Sequence, residues 1–138
     1  MSFLNIGNSS EIASPDFSYV YLEGFLHNYG DIVANRNVFI TESLYSDGNA
    51  TFNYNLTAKK IKISGEFYLF GDKIITDKIK SKGILKAPKA TIFTKKAIIS
   101  GDISEIYKIE ADEVILKNVQ QAYLCCNKCT IGENCVIN

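Results

Sequence analysis

Four cysteines, Cys125, Cys126, Cys129 and Cys135, lie close together near the end of a 138-residue chain. Cys126 and Cys129 make one Cys-x-x-Cys spacing, which suits half of a zinc site or a redox pair. A structural zinc site would add a second such pair about 15–20 residues away, or histidines downstream. Here the sole histidine is His27, far upstream. The reading adopted is therefore small apolar thiols in the last folded layer, with a four-cysteine metal site as the alternative. A reducing compartment would leave them without disulfides. His27 sits among aromatic residues with no acid or nucleophile at motif spacing, so it reads as a packed histidine rather than a general base. Asp31 and Asp102 each follow a glycine and read as corner residues bonding local backbone. There is no Gly-x-Ser-x-Gly elbow, phosphate-binding loop or dinucleotide fingerprint. No catalytic residue and no cofactor is expected.

The elements that would carry these residues are set by a repeat. Glycines stand at Gly30, Gly48, Gly65, Gly83 and Gly101, spaced by 18, 17, 18 and 18 residues, and Asn118 follows 17 later. Asparagine is the other residue that tolerates a left-handed turn. Two residues after each glycine comes an apolar side chain: Ile32, Ala50, Phe67, Leu85 and Ile103. A second apolar column holds Leu44, Ile61, Ile79 and Ala97, followed by Val114 or Ile115. Within each unit the apolar period is two, as in Ile61-Lys62-Ile63 and Lys78-Ile79-Lys80, which predicts strands rather than helices. Three short strands with tight corners use up about 18 positions, one rung of a three-sided, single-stranded parallel β-helix. The glycine column is expected to mark a corner needing positive φ. A sandwich or barrel would need hairpin dipeptides, and only Asp47-Gly48 qualifies. The expected architecture is all-β: a flexible arm over residues 1–11, then one β-helix domain over 12–138 with six to seven rungs.

Composition agrees with one ordinary domain: 46% apolar, 15 basic and 15 acidic residues, net charge zero. The balance argues against a dedicated nucleic-acid partner. It hides a pattern, however. Residues 1–58 carry a net charge of −5, residues 59–96 of +8 and residues 97–138 of −3. This basic belt reads either as a solvated face or as a surface for an anionic partner. The longest apolar run, Ala122 to Cys126, is five residues, too short to span a membrane, and Met1-Ser2-Phe3-Leu4 does not begin a secretory leader. The expected location is cytoplasmic.

At Ile63-Ser64-Gly65-Glu66-Phe67 and Gly101-Asp102-Ile103-Ser104 the chain resembles the bactofilins. Leu56-Thr57-Ala58-Lys59-Lys60-Ile61 and Ile109-Glu110-Ala111-Asp112-Glu113-Val114 are similar to that family's recurring apolar-any-Ala-any-any-apolar phrase. The resemblance covers residues 30–120 most clearly. It implies a right-handed β-helix that polymerises without nucleotide into thin non-polar filaments. It also implies a bacterial cytoskeletal scaffold, with cell-wall or envelope proteins as partners and attachment at the inner face of the membrane through a short N-terminal tail. In this chain Phe3, Leu4 and Ile6 are the residues available for that contact. The chain departs from the family in its aromatic first half, its cysteines and its two prolines. The segment Thr130 to Ile137 resembles one unit of the hexapeptide repeat of left-handed β-helix acyltransferases, which gives an enzymatic alternative. A non-polymerising binding module is another.

Polymerisation also has a basis in strand physics. A β-helix has two ends whose strand edges pair with another chain unless they are covered. Residues 129–138 alternate as a strand does and carry only Glu133 as a charge. The expected partner is a second copy, meeting end to end through Ile131, Val136 and Ile137 of this rung and Val20, Leu22 and Phe25 of the first.

Overall fold

The computed structural model describes residues 3–6, 10–12, 19–120 and 122–138, the side chains from Val20 onward. The strands begin with β1 (Phe3–Ile6), β2 (Ser10–Ile12), β3 (Tyr19–Leu22), β4 (Phe25–Asn28) and β5 (Asp31–Ala34). β6 (Asn37–Ser46), β7 (Asn49–Phe52), β8 (Leu56–Ile63), β9 (Glu66–Leu69), β10 (Lys73–Ile75) and β11 (Lys78–Ser81) follow. β12 (Ile84–Ile99), β13 (Ser104–Leu116), β14 (Val119–Gln120) and β15 (Tyr123–Ile131) complete the order. Every ladder among the described residues is parallel and joins chain segments about 18 residues apart, one rung to the next. The fold is a β-solenoid of about six turns.

Three faces result. One runs through β3, the start of β6 and of β8, β10, and the middles of β12 and β13 to the start of β15. The second runs through β1, β4, the ends of β6 and β8, β11, and the ends of β12, β13 and β15. The third runs through β2, β5, β7, β9 and the starts of β12 and β13 to β14. The coil begins earlier than residue 12. β1 pairs with β4 and β2 with β5, so these backbone segments of the expected flexible arm are rung strands. Residues 1–2 and 7–9 of the arm, and 13–18 of the expected first rung, lie outside the described residues.

Alternation fixes what goes inside. Ile32, Ala50, Phe67 and Leu85 stack in one buried column and Leu44, Ile61, Ile79, Ala97 and Val114 in another. Removing each such side chain from water contributes roughly 1.5–3 kcal/mol for Val, Leu, Ile or Phe. Sizes complement one another: Ala50 leaves space beside Phe52, and the Phe52 and Phe67 rings meet at 5.2 Å between centroids.

The last expected member of the first column is displaced. Ile103 is 56% exposed, and Ser104 pairs with Leu85 and points inward in its place. Leu85 and Ser104 are 19 residues apart, so the corner after Gly101 holds one residue more than the corners below it. In a strand one residue reverses the face. The Ser104 hydroxyl is buried and has no hydrogen-bond partner among the described residues. Such a group costs about 1–3 kcal/mol. Ser104→Ala is therefore expected to stabilise the protein by about 1 kcal/mol in a denaturant melt; a loss of stability would show that the hydroxyl is satisfied.

The glycine column has a different cause from the one expected. Gly24, with φ of 103°, is the only glycine with positive φ among the described residues. Gly48, Gly65, Gly83 and Gly101 are needed because the rungs nearly touch there. A Cβ on each would overlap the carbonyl oxygen of the glycine one rung below. Asn118 and Asn134 continue the column and do take the left-handed conformation, both at φ of 58°. Their side chains replace the close backbone approach with hydrogen bonds. Asn134 Nδ2 donates to Asn118 Oδ1 at 3.0 Å, and Asn118 Nδ2 to the Gly101 carbonyl at 2.8 Å.

Candidate functional site

The solenoid offers two kinds of surface: its ends and its faces. At the C-terminal end, β15 pairs with β13, and no strand covers its other edge among the described residues. Residues 136–138 lie as the next layer over β14, with Val136 N–H donating to the Val119 carbonyl at 2.9 Å and Asn138 N–H to that of Ala122 at 2.9 Å. Ile131 and Val136 are 45% and 48% exposed, while Leu124, Cys126, Cys135 and Ile137 partly close the core. At the other end, β3 pairs with β6 alone, so Val20 and Leu22 belong to an edge strand of the first face. Phe25 does not share that position: β1 covers the backbone of β4, and the Phe25 ring lies over Tyr45 at 6.4 Å. The end of the second face is β1 itself, which places Phe3, Leu4 and Ile6 opposite Phe25, Leu26 and Asn28.

The cysteines are only partly brought together. Cys126 and Cys129 form a disulfide across a corner of the last rung, Cα atoms 6.4 Å apart, where no disulfide was expected. In register they follow Ala111 and Val114, and of the two Cys126 packs against the core while Cys129 is exposed. Cys125 is exposed one position out of phase, and Cys135 Sγ lies 3.6 Å from the Glu133 carbonyl oxygen. No group of three or more His, Cys, Asp or Glu side chains fit to hold a metal ion occurs among the described residues.

His27 has a partner that its local sequence does not reveal. Its Nε2 donates to Asp47 Oδ2 at 2.6 Å, and the Ser64 hydroxyl donates to Asp47 Oδ1 at 2.5 Å. Asp47 and Ser64, 17 residues apart, follow the rung period that could have found them, whereas His27 is in register with Tyr45 and reaches Asp47 20 residues on. Asp47 stands between hydroxyl and imidazole. His27 cannot take the Ser64 proton from there, as the base of a hydrolytic triad must. The His27 hydrogen bond, and after it that from Ser64, hold the Asp47 pKa below its ordinary value. A depressed carboxylate stabilises the fold above its unfolded pKa of about 4 and stops doing so as pH falls through the folded value. Wild type is thus expected to melt above Asp47→Asn at neutral pH and to converge with it in acid. Paired melts across that range check this, and a pH-independent gap would exclude the linkage. Asp31 also bonds along the stack, accepting from Asn49 Nδ2 at 2.8 Å.

Register sorts the basic belt. On the second face Lys60, Lys78 and Lys96 form one outward column and Lys62 and Lys80 the next, because Ile61, Ile79, Ala97, Ile63 and Ile99 are turned inward. Crowding by Lys82 first, and then by Lys62, Lys78 and Lys60 together with partial desolvation, lowers the Lys80 pKa. Glu42 and Glu113 sit at the rims, 3.9 Å from Lys59 and 3.3 Å from Lys96. On the first face, Tyr21 stacks on Phe39 with centroids 5.6 Å apart, and Thr57 leaves a dip before Ile75. The dip is a shallow groove of about 500 Å3.

No family model, curated protein or solved structure matches the chain. Two features of the described residues bear on function: a last rung whose outer edge no described strand covers, and one face concentrating positive charge.

Proposed function

We propose that this chain is a structural, bactofilin-like scaffold protein whose subunits join end to end into filaments without nucleotide. The observation that carries this is the last rung. Tyr123–Ile131 is a nine-residue strand with an unpaired edge among the described residues, above an apolar core that only half-buried side chains close. A second copy stacked there would satisfy the edge and bury Ile131 and Val136. A heterologous contact of this kind does not close into a ring unless the rotation returns on itself, so it propagates. The sequence resemblance supports the same reading and adds envelope proteins as clients and membrane attachment through Phe3, Leu4 and Ile6.

The test is negative-stain microscopy with light scattering on the purified chain at rising concentration. Filaments one solenoid wide, formed without nucleotide, are expected. A protein that stays monomeric at high concentration would overturn the proposal. Compact trimers would favour the acyltransferase-like alternative.

A further inference from the structure

We propose that the lysine-bearing second face is a docking surface for an anionic membrane, its partner being phospholipid headgroups. This contact is separate from end-to-end assembly, because one subunit carries the whole face, and from any contact made by residues 3–6. Directly stacked residues on such a sheet are about 4.8 Å apart, so Lys60, Lys62, Lys78 and Lys80 occupy a patch only two rungs deep. None of the four, nor Lys82 beside them, makes an ion pair among the described residues. Like charges directly opposite one another destabilise a sheet, and here the fold holds them together with acids only at the rims.

The rest of the face favours a lipid surface over another polyanion. The outward column of Lys62 and Lys80 continues into Tyr45 at one end and Ile98 and Ile115 at the other. A solvated sheet face ordinarily alternates to polar residues at such positions. An aromatic ring and two isoleucines flanking a lysine cluster match the mixture that sits at a membrane interface, apolar groups entering the headgroup layer while ammonium groups meet phosphate. A sheet face is also nearly planar over this span, as a bilayer is and a nucleic-acid duplex is not. In a filament the face would repeat with every subunit, and weak single contacts would add as avidity.

The experiment is sedimentation with vesicles of phosphatidylcholine containing a third phosphatidylglycerol, against phosphatidylcholine alone, using the full chain and an Ile131→Lys/Val136→Lys form expected not to assemble. Binding to the anionic vesicles only, weakening with salt, is expected in both forms. Lys62→Glu/Lys80→Glu should reduce partitioning by tenfold or more, since each lysine near the surface contributes about fivefold. Lys86→Glu/Lys89→Glu, with the same net charge but off this face, should leave it within about threefold of wild type. Circular dichroism would confirm that each variant folds. Equal losses in the two double variants, or no vesicle binding at low salt, would overturn the proposal. So would binding of duplex DNA in preference to vesicles. Filaments that form but ignore vesicles would defeat this proposal and leave the assembly reading standing.

Discussion

Gly83→Ala is expected to cost about 3–5 kcal/mol, a large share of the 5–15 kcal/mol that holds a typical domain together. The added methyl would overlap the Gly65 carbonyl oxygen, with the Ser64 carbonyl carbon and oxygen each 2.8 Å away. All three are backbone atoms inside the ladder, so neither rung can move without stretching the hydrogen bonds on either side. Ile84 N–H donates to Gly65 at 2.9 Å and Lys82 N–H to Ile63 at 2.9 Å. A solenoid is stabilised by nearest-neighbour contacts, so a fault in mid-stack also breaks cooperativity. Urea unfolding of Gly83→Ala should show a lower midpoint and a shallower or two-step transition, where wild type shows one step. Gly132→Ala is the matched control. Its closest neighbour is the Leu116 carbonyl oxygen at 3.0 Å, on the exposed terminal rung, and its cost should stay below about 1 kcal/mol. If the two substitutions cost the same, the glycine column is not there for close stacking.

That column also shows how far the sequence could be read. The 17–18-residue spacing is legible because stacked rungs must repeat their inward positions, and Ile61, Ile79 and Ala97 stack as the spacing implies. The reason for the glycines is not legible. Positive φ and close backbone approach both select glycine, and only the distance between rungs separates them. Corners escape for another reason. Thr41 and Glu42 oppose Lys59 alone, and Pro88, Lys89 and Ala90 oppose Tyr107 alone, so corner lengths drift while strands stay in phase. One such drift exchanged Ile103 for Ser104. Pro88 is tolerated because it stands at a corner where the ladder shifts, with no amide hydrogen to lose. The lysines show the converse. Their charge was plain along the chain, but only register shows that Lys60, Lys62, Lys78 and Lys80 share a face while Lys86 belongs to another. His27, Asp47 and Ser64 are joined only by the stack, and no window of the sequence holds all three.

Ile131→Lys/Val136→Lys is expected to abolish assembly and spare the fold. Both side chains are about half exposed on the last rung, where surface substitutions ordinarily stay within about 0.5 kcal/mol, so the melting temperature should barely change. In a stacked pair of subunits the same positions become interior, and a lysine buried there without a partner costs about 3–5 kcal/mol. Each substitution would then weaken association by about a hundredfold or more, at 1.4 kcal/mol for each tenfold. Two of them should take a protein that pellets at micromolar concentration to one that stays in the supernatant throughout. Leu124 and Ile137, half-buried against the core, are worse places for the lysines, because failure to assemble could not be told from failure to fold. Placing the pair at exposed Ile75 and Tyr54 instead, on rungs far from either end, should leave assembly intact. Should the terminal pair still form filaments while folded, the growing contact is lateral, through the faces rather than the ends. The uncovered edge of Tyr123–Ile131 would then need another partner, because a strand edge above a half-closed apolar layer is the least satisfied part of the described fold.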